Sequence, residues 1–272
     1  MRPTSLAEAA RELQADDGAT ILAGGQSLVP MLNLRIARPT TVIDITRIPG
    51  LQGIEMSPDS VAIGALTTHS AIETYHWPTP LSALPAGTSH IGYPAIRHRG
   101  TVGGSLAHAD PAAELPSLMV ALDATIDLHS AGGTRSVAAD EFFIGYYSTA
   151  RNQDELLTAV NVPVSPGLRT GFAEFSRRTG DFAIALAATA TWTEAGSPRA
   201  RVVIGGLDVR PRRIGAIEEA LVRGGDWQEA CTPEVLAAFV EPSDDIHGSA
   251  DYRLRLGAEM VRRAITQMEG EG

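Results

Sequence analysis

Apolar residues in the first fifty positions recur in patterns that predict a small unit of helices and strands. Helical spacing from residue 6 to residue 13 is followed by two short apolar runs of the kind that form buried strands. The predicted elements are a helix opened by a Ser5–Glu8 capping box, strands over 19–23 and 40–46, and a short helix after Ser27 with Pro30 in its first turn.

The pattern changes little between residues 53 and 162, where a second unit of helices and strands is predicted. An apolar strand pattern near residue 61 runs into a Thr/Ser-capped helix that reaches residue 75. Asp110 and Pro111 match the N-cap and first position of a helix, which places Glu114 one turn inside it. The other predicted elements are a helix over 81–91 and strands over 125–129 and 155–162.

A turn-rich segment at 163–167 marks a boundary, and longer alternating runs follow it. Strands over 171–178, 182–194 and 200–209 are joined by short turns, which predicts an antiparallel meander. In the last segment apolar residues recur at helical spacing from Leu254 to Met268, which predicts a helix with one face in the core.

Composition narrows the possible functions. The net charge of −10 disfavours a nucleic-acid surface, and all 22 basic residues are arginine, so a Walker A loop and lysine Schiff-base chemistry are excluded. The single cysteine, Cys231, excludes a cluster held by several cysteines and is expected to be a small buried residue. No signal peptide or membrane span is visible, so we expect a cytoplasmic protein.

Two glycine pairs carry the strongest chemical signal, in "AGGQS" (23–27) and "TVGGS" (101–105). Glycine lets a ligand approach the backbone, and successive N–H groups attract an anion such as a phosphate. Two such segments can hold the two phosphates of a dinucleotide, although each pair alone is also compatible with an ordinary turn. No G-x-G-x-x-G or G-x-S-x-G pattern occurs, and the histidines lack metal-binding spacing.

Two further patches are ambiguous on residue pattern alone. Arg177, Arg178 and Asp181 surround a turn, which is typical of a solvated hairpin. Tyr146 and Tyr147 are most simply core aromatics, with contact to a flavin or nicotinamide edge as the alternative.

Taken together, "ILAGGQSLVPMLNLRIARPTTVIDITRI", "IRHRGTVGGSLAHADPAAELP" and "FSRRTGDFAIA" resemble, in order and spacing, the FAD-binding medium subunit of the molybdenum hydroxylase (xanthine dehydrogenase and carbon monoxide dehydrogenase) family. The resemblance implies an α+β fold. A two-subdomain FAD-binding domain of the vanillyl-alcohol-oxidase (PCMH) type is expected over 1–166, divided near residue 52, and a C-terminal domain with an antiparallel sheet and helices over 167–272. Family members usually carry a short lead, so a short or missing first strand is expected.

The resemblance also implies the residues that contact FAD, and it implies no catalytic acid or base and no metal ligand. By resemblance, the first glycine segment surrounds the pyrophosphate of FAD, and the second adds contacts to the pyrophosphate and the ribityl chain. An acidic residue near the Asp-Pro step contacts the cofactor, and a basic residue approaches the flavin. The implied cofactor-binding residues are Ala23, Gly24, Gly25, Gln26, Ser27, Thr101, Gly103, Gly104, Ser105, Asp110, Glu114 and Arg178.

In function, the resemblance implies an oxidoreductase subunit that relays electrons. A molybdopterin-binding large subunit and a [2Fe–2S] small subunit are the expected partners, and FAD passes electrons to NAD, a quinone or oxygen. The alternatives are a stand-alone FAD-dependent oxidoreductase, with Tyr146, Tyr147 or a histidine handling protons, and a structural subunit without FAD.

Overall fold

The N-terminal unit is built on a parallel pair of short strands, as its apolar runs predict. The computed structural model describes residues 1–270. The first elements are α1 (Leu6–Ala15), β1 (Thr20–Leu22), α2 (Leu28–Asn33) and β2 (Val42–Asp44). The β1 strand pairs with β2 in parallel, and the buried face of α1, Ala9, Ala10 and Leu13, joins the core beside them. The Ser5 hydroxyl accepts the Glu8 N–H, which confirms the predicted cap.

The middle unit contains a five-stranded antiparallel sheet with helices packed on it. Its elements are β3 (Ile54–Met56), β4 (Ser60–Gly64), α3 (His69–Thr74), a 3₁₀ turn (Thr79–Leu81), α4 (Ala83–His90), α5 (Pro94–Arg97), α6 (Val102–His108), α7 (Glu114–Ala121), β5 (Thr125–Ser130), β6 (Gly133–Ala138), α8 (Ala139–Phe142), β7 (Phe143–Gly145), β8 (Ser148–Thr149) and β9 (Leu156–Pro163). The strand order is β3-β4-β9-β5-β6, while β7 and β8 form a separate hairpin. The pattern missed β3 and β6 because most of their residues are exposed.

The C-terminal unit is the predicted antiparallel meander with helices on it. Its elements are β10 (Arg169–Phe175), β11 (Ala185–Glu194), β12 (Ser197–Gly205), β13 (Arg212–Arg213), α9 (Gly215–Arg223), α10 (Trp227–Ala230), α11 (Pro233–Ala237) and α12 (Ala250–Gly270). The strand order is β10-β11-β12-β13. The strand predicted over 200–209 extends past the observed end of β12 at Gly205, because Gly206, at φ +79°, turns the chain away. The α+β fold class is confirmed.

One helix of the middle unit packs on the C-terminal sheet. All eight residues of α7 are buried, where it packs against α4, β11 and β12. The prediction that this helix begins at Pro111 is wrong. Asp110 accepts the Ala112 N–H on its side chain and the Ala113 N–H on its carbonyl, which closes a turn and delays the helix to Glu114.

The other face of the C-terminal sheet is covered by α12. Val261, Ile265 and Met268 are buried, as the spacing predicts, and Cys231 lies fully buried in the same core. No helix between residues 1 and 270 combines the length and apolar character that a membrane span requires.

The close approach of α12 to β10 depends on Gly171, because a Cβ there would overlap the Ala264 carbonyl oxygen. We expect Gly171→Ala to lower the free energy of unfolding by about 2 kcal/mol, since the helix must shift. Gly145→Ala is the control, because nothing lies within 4 Å of its added Cβ. Denaturant unfolding of both variants tests this, and equal stabilities contradict it.

Candidate cofactor site

The first glycine segment, Ala23–Ser27, forms the loop between β1 and α2. Gly25 adopts φ +74°, a left-handed conformation that favours glycine, as the chain turns from strand to helix. The Gln26 side-chain amide donates to the Gly24 carbonyl oxygen at 3.0 Å. Backbone conformation and one side-chain bond therefore shape this loop.

The backbone N–H groups of this loop are available to a ligand. Within the described residues, those at positions 24–27 donate to no protein acceptor. Successive backbone N–H groups without partners in one turn can form a concave site for an anion. The loop therefore has the donors that a pyrophosphate needs.

The second glycine segment forms the start of α6, and its N–H groups are already used. Thr101 caps the helix by accepting the Gly104 N–H at 3.2 Å, while the Gly103 N–H donates to the Ala65 carbonyl oxygen at 2.8 Å. A Cβ on Gly103 would lie 2.6 Å from the Cβ of Ala65. Gly103 therefore serves close packing in this segment, which differs from the first in that respect.

The structure brings the two glycine segments into contact. A Cβ on Gly24 would overlap the carbonyl oxygen of Arg99, two residues before Thr101. A Cβ on Gly104 would lie 3.8 Å from the Cβ of Ala23. The donors of the first loop and the hydroxyl-bearing second segment therefore lie side by side.

His69 lies against the backbone that leads into the second segment. It is 5% exposed, and its N–H donates to the Gly100 carbonyl oxygen at 2.9 Å. Neither ring nitrogen has a hydrogen-bond partner among the described residues. Burial lowers the pKa of His69 to about 4 and outweighs the Thr101 backbone, which raises it. The positive charge of Arg97 also lowers it, so the ring is neutral at pH 7.

Strained backbone occurs in the turn after α6 and in the turn between β7 and β8. Ala109 and Tyr147 have φ of +51° and +49°, conformations that cost on the order of 1–3 kcal/mol each and collect at functional sites. The Tyr147 hydroxyl donates to Asp110 at 3.2 Å, and its ring centroid lies 4.9 Å from that of His108. Burial, reinforced by the Asp110 charge, raises the pKa of Tyr147, so its hydroxyl stays protonated.

The prediction that Tyr146 and Tyr147 are core aromatics is wrong, because both are about 60% exposed. They line a cavity of about 470 Å³ together with Asp110, Asp181 and Phe182. Of the predicted cofactor residues, only Asp110 lines this cavity. The cavity therefore contains none of the residues of the two glycine segments.

Glu114 and Arg178 lie in opposite environments. Glu114 begins α7 and is 5% exposed, and burial raises its pKa to about 7. Arg178 is exposed, and its side chain has no polar partner among residues 1–270. Its turn packs against the 91–93 loop, since a Cβ on Gly180 would lie 3.1 Å from the Gly92 carbonyl oxygen.

Sequence reasoning missed two buried groups beside the predicted site, His69 and Glu174. His69 belongs to no sequence motif. Its position directly after the predicted Thr cap of a helix is the one signal in the sequence that points to it. Glu174 was detectable as a charged residue on the apolar face of a strand, between Phe172 and the turn that follows. Among the residues the structure describes, no cluster of three or more His, Cys, Asp or Glu side chains is placed to bind a metal.

The neutral state of the buried His69 ring predicts a pH dependence of the free energy of unfolding. At His69 the folded state binds fewer protons than the unfolded chain between pH 6.5 and pH 4, so the contribution of this residue to stability falls as pH drops through that range, by up to about 3 kcal/mol. We expect His69→Phe to reduce this loss, because a phenyl ring needs no partner. Urea unfolding from pH 7 to pH 4.5 tests this, with His76→Phe at an exposed position as control. Equal pH slopes in wild type and His69→Phe contradict it.

Comparison with known proteins agrees with this geometry. The family described as "FAD binding domain in molybdopterin dehydrogenase" matches residues 1–165, and "CO dehydrogenase flavoprotein C-terminal domain" matches residues 170–268. The nicotine 6-hydroxylase medium subunit of Paenarthrobacter nicotinovorans is 36% identical over 272 residues, covering 97% of this chain and 95% of that protein.

Two solved structures superpose over nearly the whole chain. Carbon monoxide dehydrogenase from Hydrogenophaga pseudoflava, lacking the Mo-pyranopterin moiety, has a TM-score of 0.92 at 34% identity, covering 99% of this chain and 96% of the other. Quinoline 2-oxidoreductase from Pseudomonas putida 86 has a TM-score of 0.89 at 36% identity, with the same coverage. The chain therefore belongs to the FAD-binding medium subunits of the molybdenum hydroxylases, a family of multi-subunit dehydrogenases and oxidoreductases.

Proposed function

We propose that this FAD-binding subunit relays electrons from the [2Fe–2S] clusters of a small subunit, through FAD, to an external acceptor such as NAD, a quinone or oxygen. In this proposal a molybdopterin-binding large subunit transforms the substrate. The observation that carries the FAD site is the set of unpartnered N–H groups at 24–27. One cysteine in the whole sequence means that clusters of that kind must come from another chain.

The proposed site divides the cofactor between the two glycine segments and the turn beyond them. The N–H groups of the first loop bind the pyrophosphate, and Thr101, Gly103, Gly104 and Ser105 lie along the pyrophosphate and ribityl chain. Asp110 and Glu114 complete the site, and Arg178 approaches the flavin from the C-terminal unit. FAD, when bound, supplies the redox chemistry, while these residues bind it, orient it and limit its contact with water.

The two family matches, over 1–165 and 170–268, support the proposed domain division. The proposed FAD-binding domain is 1–166, with subdomains of about 1–52 and 53–166, and the C-terminal domain is 167–272. A cytoplasmic location remains part of the proposal.

The pyrophosphate assignment predicts a specific loss of FAD. Gly25→Val should weaken FAD binding at least about tenfold, because a β-branched residue at φ +74° reshapes the loop and turns its N–H groups away. Gly132→Val, at an exposed turn, is the matched control. Flavin fluorescence titration measures both, with thermal unfolding to show that each variant is folded. Equal affinity of Gly25→Val and wild type contradicts the assignment.

A stand-alone flavoenzyme is the second candidate, and the 470 Å³ cavity with two exposed tyrosines favours it. In that reading the protonated Tyr147 hydroxyl handles a proton of a small substrate directly.

The two candidates differ in what reduces the flavin. If the chain is a relay, its FAD should lose visible absorbance under anaerobic conditions when a reduced [2Fe–2S] small subunit of this family is added. Nicotine, carbon monoxide or quinoline, the compounds acted on by the relatives according to their names, should leave the isolated chain oxidised. Bleaching by one of them without a partner contradicts the relay and supports the stand-alone enzyme.

A further inference from the structure

The cavity of about 470 Å³ lies where the middle unit meets the C-terminal unit. The middle unit contributes the turn after α6 and the tip of the β7–β8 hairpin, and the C-terminal unit contributes the segments after β10 and β12 and the chain around the start of α12. The Gly206 N–H donates to the Pro111 carbonyl oxygen at 2.9 Å, which holds the two units together at this point. The volume of the cavity is in the range of sites that bind small organic molecules.

Helix α6 connects this cavity to the second glycine segment. The segment forms the first turn of the helix, and His108 ends the helix, with its ring centroid 4.9 Å from that of Tyr147 in the cavity wall. The 7 residues of the helix span on the order of 10 Å. Asp110, which is assigned to FAD in the proposed site, also lines the cavity, and Arg177 in its wall directly precedes Arg178. These shared and neighbouring residues put the cavity next to the position proposed for the flavin.

Three aromatic side chains in the cavity wall are largely exposed. Phe182 is 66% exposed, and Tyr146 and Tyr147 are about 60% exposed. Ile184 and Leu207, which are buried, add an apolar part to the lining. Exposed aromatic rings and apolar side chains gathered in one cavity are typical of a site that binds a planar organic ring.

The charged residues of the lining make the cavity negative. Five of its side chains are carboxylic acids and two are guanidiniums. Arg253 is already paired with Asp245, so Arg177 is the other guanidinium that a ligand meets. The carboxylates of Asp181 and Glu241 take part in no hydrogen bond or ion pair among residues 1–270. This charge repels a ligand that carries phosphates, whereas it leaves an uncharged ring unaffected.

We propose that this cavity binds the external electron acceptor, and that the acceptor is an uncharged quinone rather than the anionic dinucleotide NAD. A quinone offers a planar ring to the exposed aromatic side chains and two carbonyl oxygens to a donor such as Arg177. Two electrons and two protons leave the reduced flavin, FADH2, and the quinone takes up all four to become a hydroquinone. The inference rests on the proposed function, because the relay puts the flavin beside the cavity.

Calorimetric titration of the full chain, loaded with oxidised FAD, tests the class of ligand without turnover. Naphthoquinone and naphthoquinone sulfonate share one ring system and differ by one negative charge. The sulfonate should bind at least about fivefold more weakly at low salt, and this difference should shrink at high salt, where the charges are screened. NAD should not displace naphthoquinone. Equal or tighter binding of the sulfonate, displacement by NAD, or the absence of naphthoquinone binding overturns the proposal.

Variants of exposed residues test whether the quinone binds in this cavity. Phe182→Ala should weaken naphthoquinone binding about fivefold, because a stacking surface is lost, and Tyr75→Ala, at an exposed aromatic residue outside the cavity, should leave it unchanged. Asp181→Asn combined with Glu241→Gln should bring the affinity of the sulfonate within about twofold of that of naphthoquinone, whereas Glu55→Gln should not. Thermal unfolding shows that each variant is folded. Wild-type affinity in Phe182→Ala, or an unchanged preference in the double variant, overturns the cavity assignment.

Flavin absorbance after desalting shows separately whether the chain holds FAD. If it holds none, the proposed function fails, and the same titrations on the chain without FAD still decide whether the cavity binds an uncharged ring. If it holds FAD and naphthoquinone does not bind, the FAD site stands and the acceptor assignment fails.

Discussion

The structure depends on a backbone-to-backbone contact between two glycine segments that are far apart in sequence. Gly24 lies so close to the Arg99 carbonyl that no side chain fits between them, and the 99–101 backbone rests in turn on the buried His69 ring. This contact fixes the parallel β1–β2 pair against the first turn of α6. The N–H groups at 24–27 donate to no acceptor among the described residues and are therefore available to a ligand.

A second junction, α7, joins the helices of the middle unit to the C-terminal sheet. The α7 helix is completely buried, and residues before and after the turn-rich boundary at 163–167, such as Leu118 and Phe172, belong to one apolar cluster. This boundary therefore does not separate two independent cores. Apolar packing alone would favour uncharged side chains at this junction. The buried carboxyl of Glu174, whose oxygens have no hydrogen-bond partner among the described residues, is therefore a stability cost in the C-terminal sheet.

Much of the fold could be predicted from the sequence, because buried elements leave periodic patterns. The α1 face, the Thr68-capped α3, the meander from β10 to β12 and the apolar face of α12 all follow from spacing and caps. Exposed edge strands leave no such pattern, and the start of α7 was missed because Asp110 caps a turn where a helix was expected.

For the candidate site, the glycine pairs indicated an anion, while the resemblance was needed to name FAD. The contact of Gly24 with Arg99 and the burial of His69 and Glu174 depend on long-range packing, and no local pattern encodes them.

The central claim is that the first glycine loop recognises a dinucleotide pyrophosphate through its backbone N–H groups. The most direct measurement is a comparison of FAD, FMN and riboflavin binding to the purified full chain by calorimetry. The account predicts one FAD per chain, with FMN and riboflavin bound at least about a hundredfold more weakly, because only FAD carries the pyrophosphate. Equal affinities for FAD and FMN would contradict it.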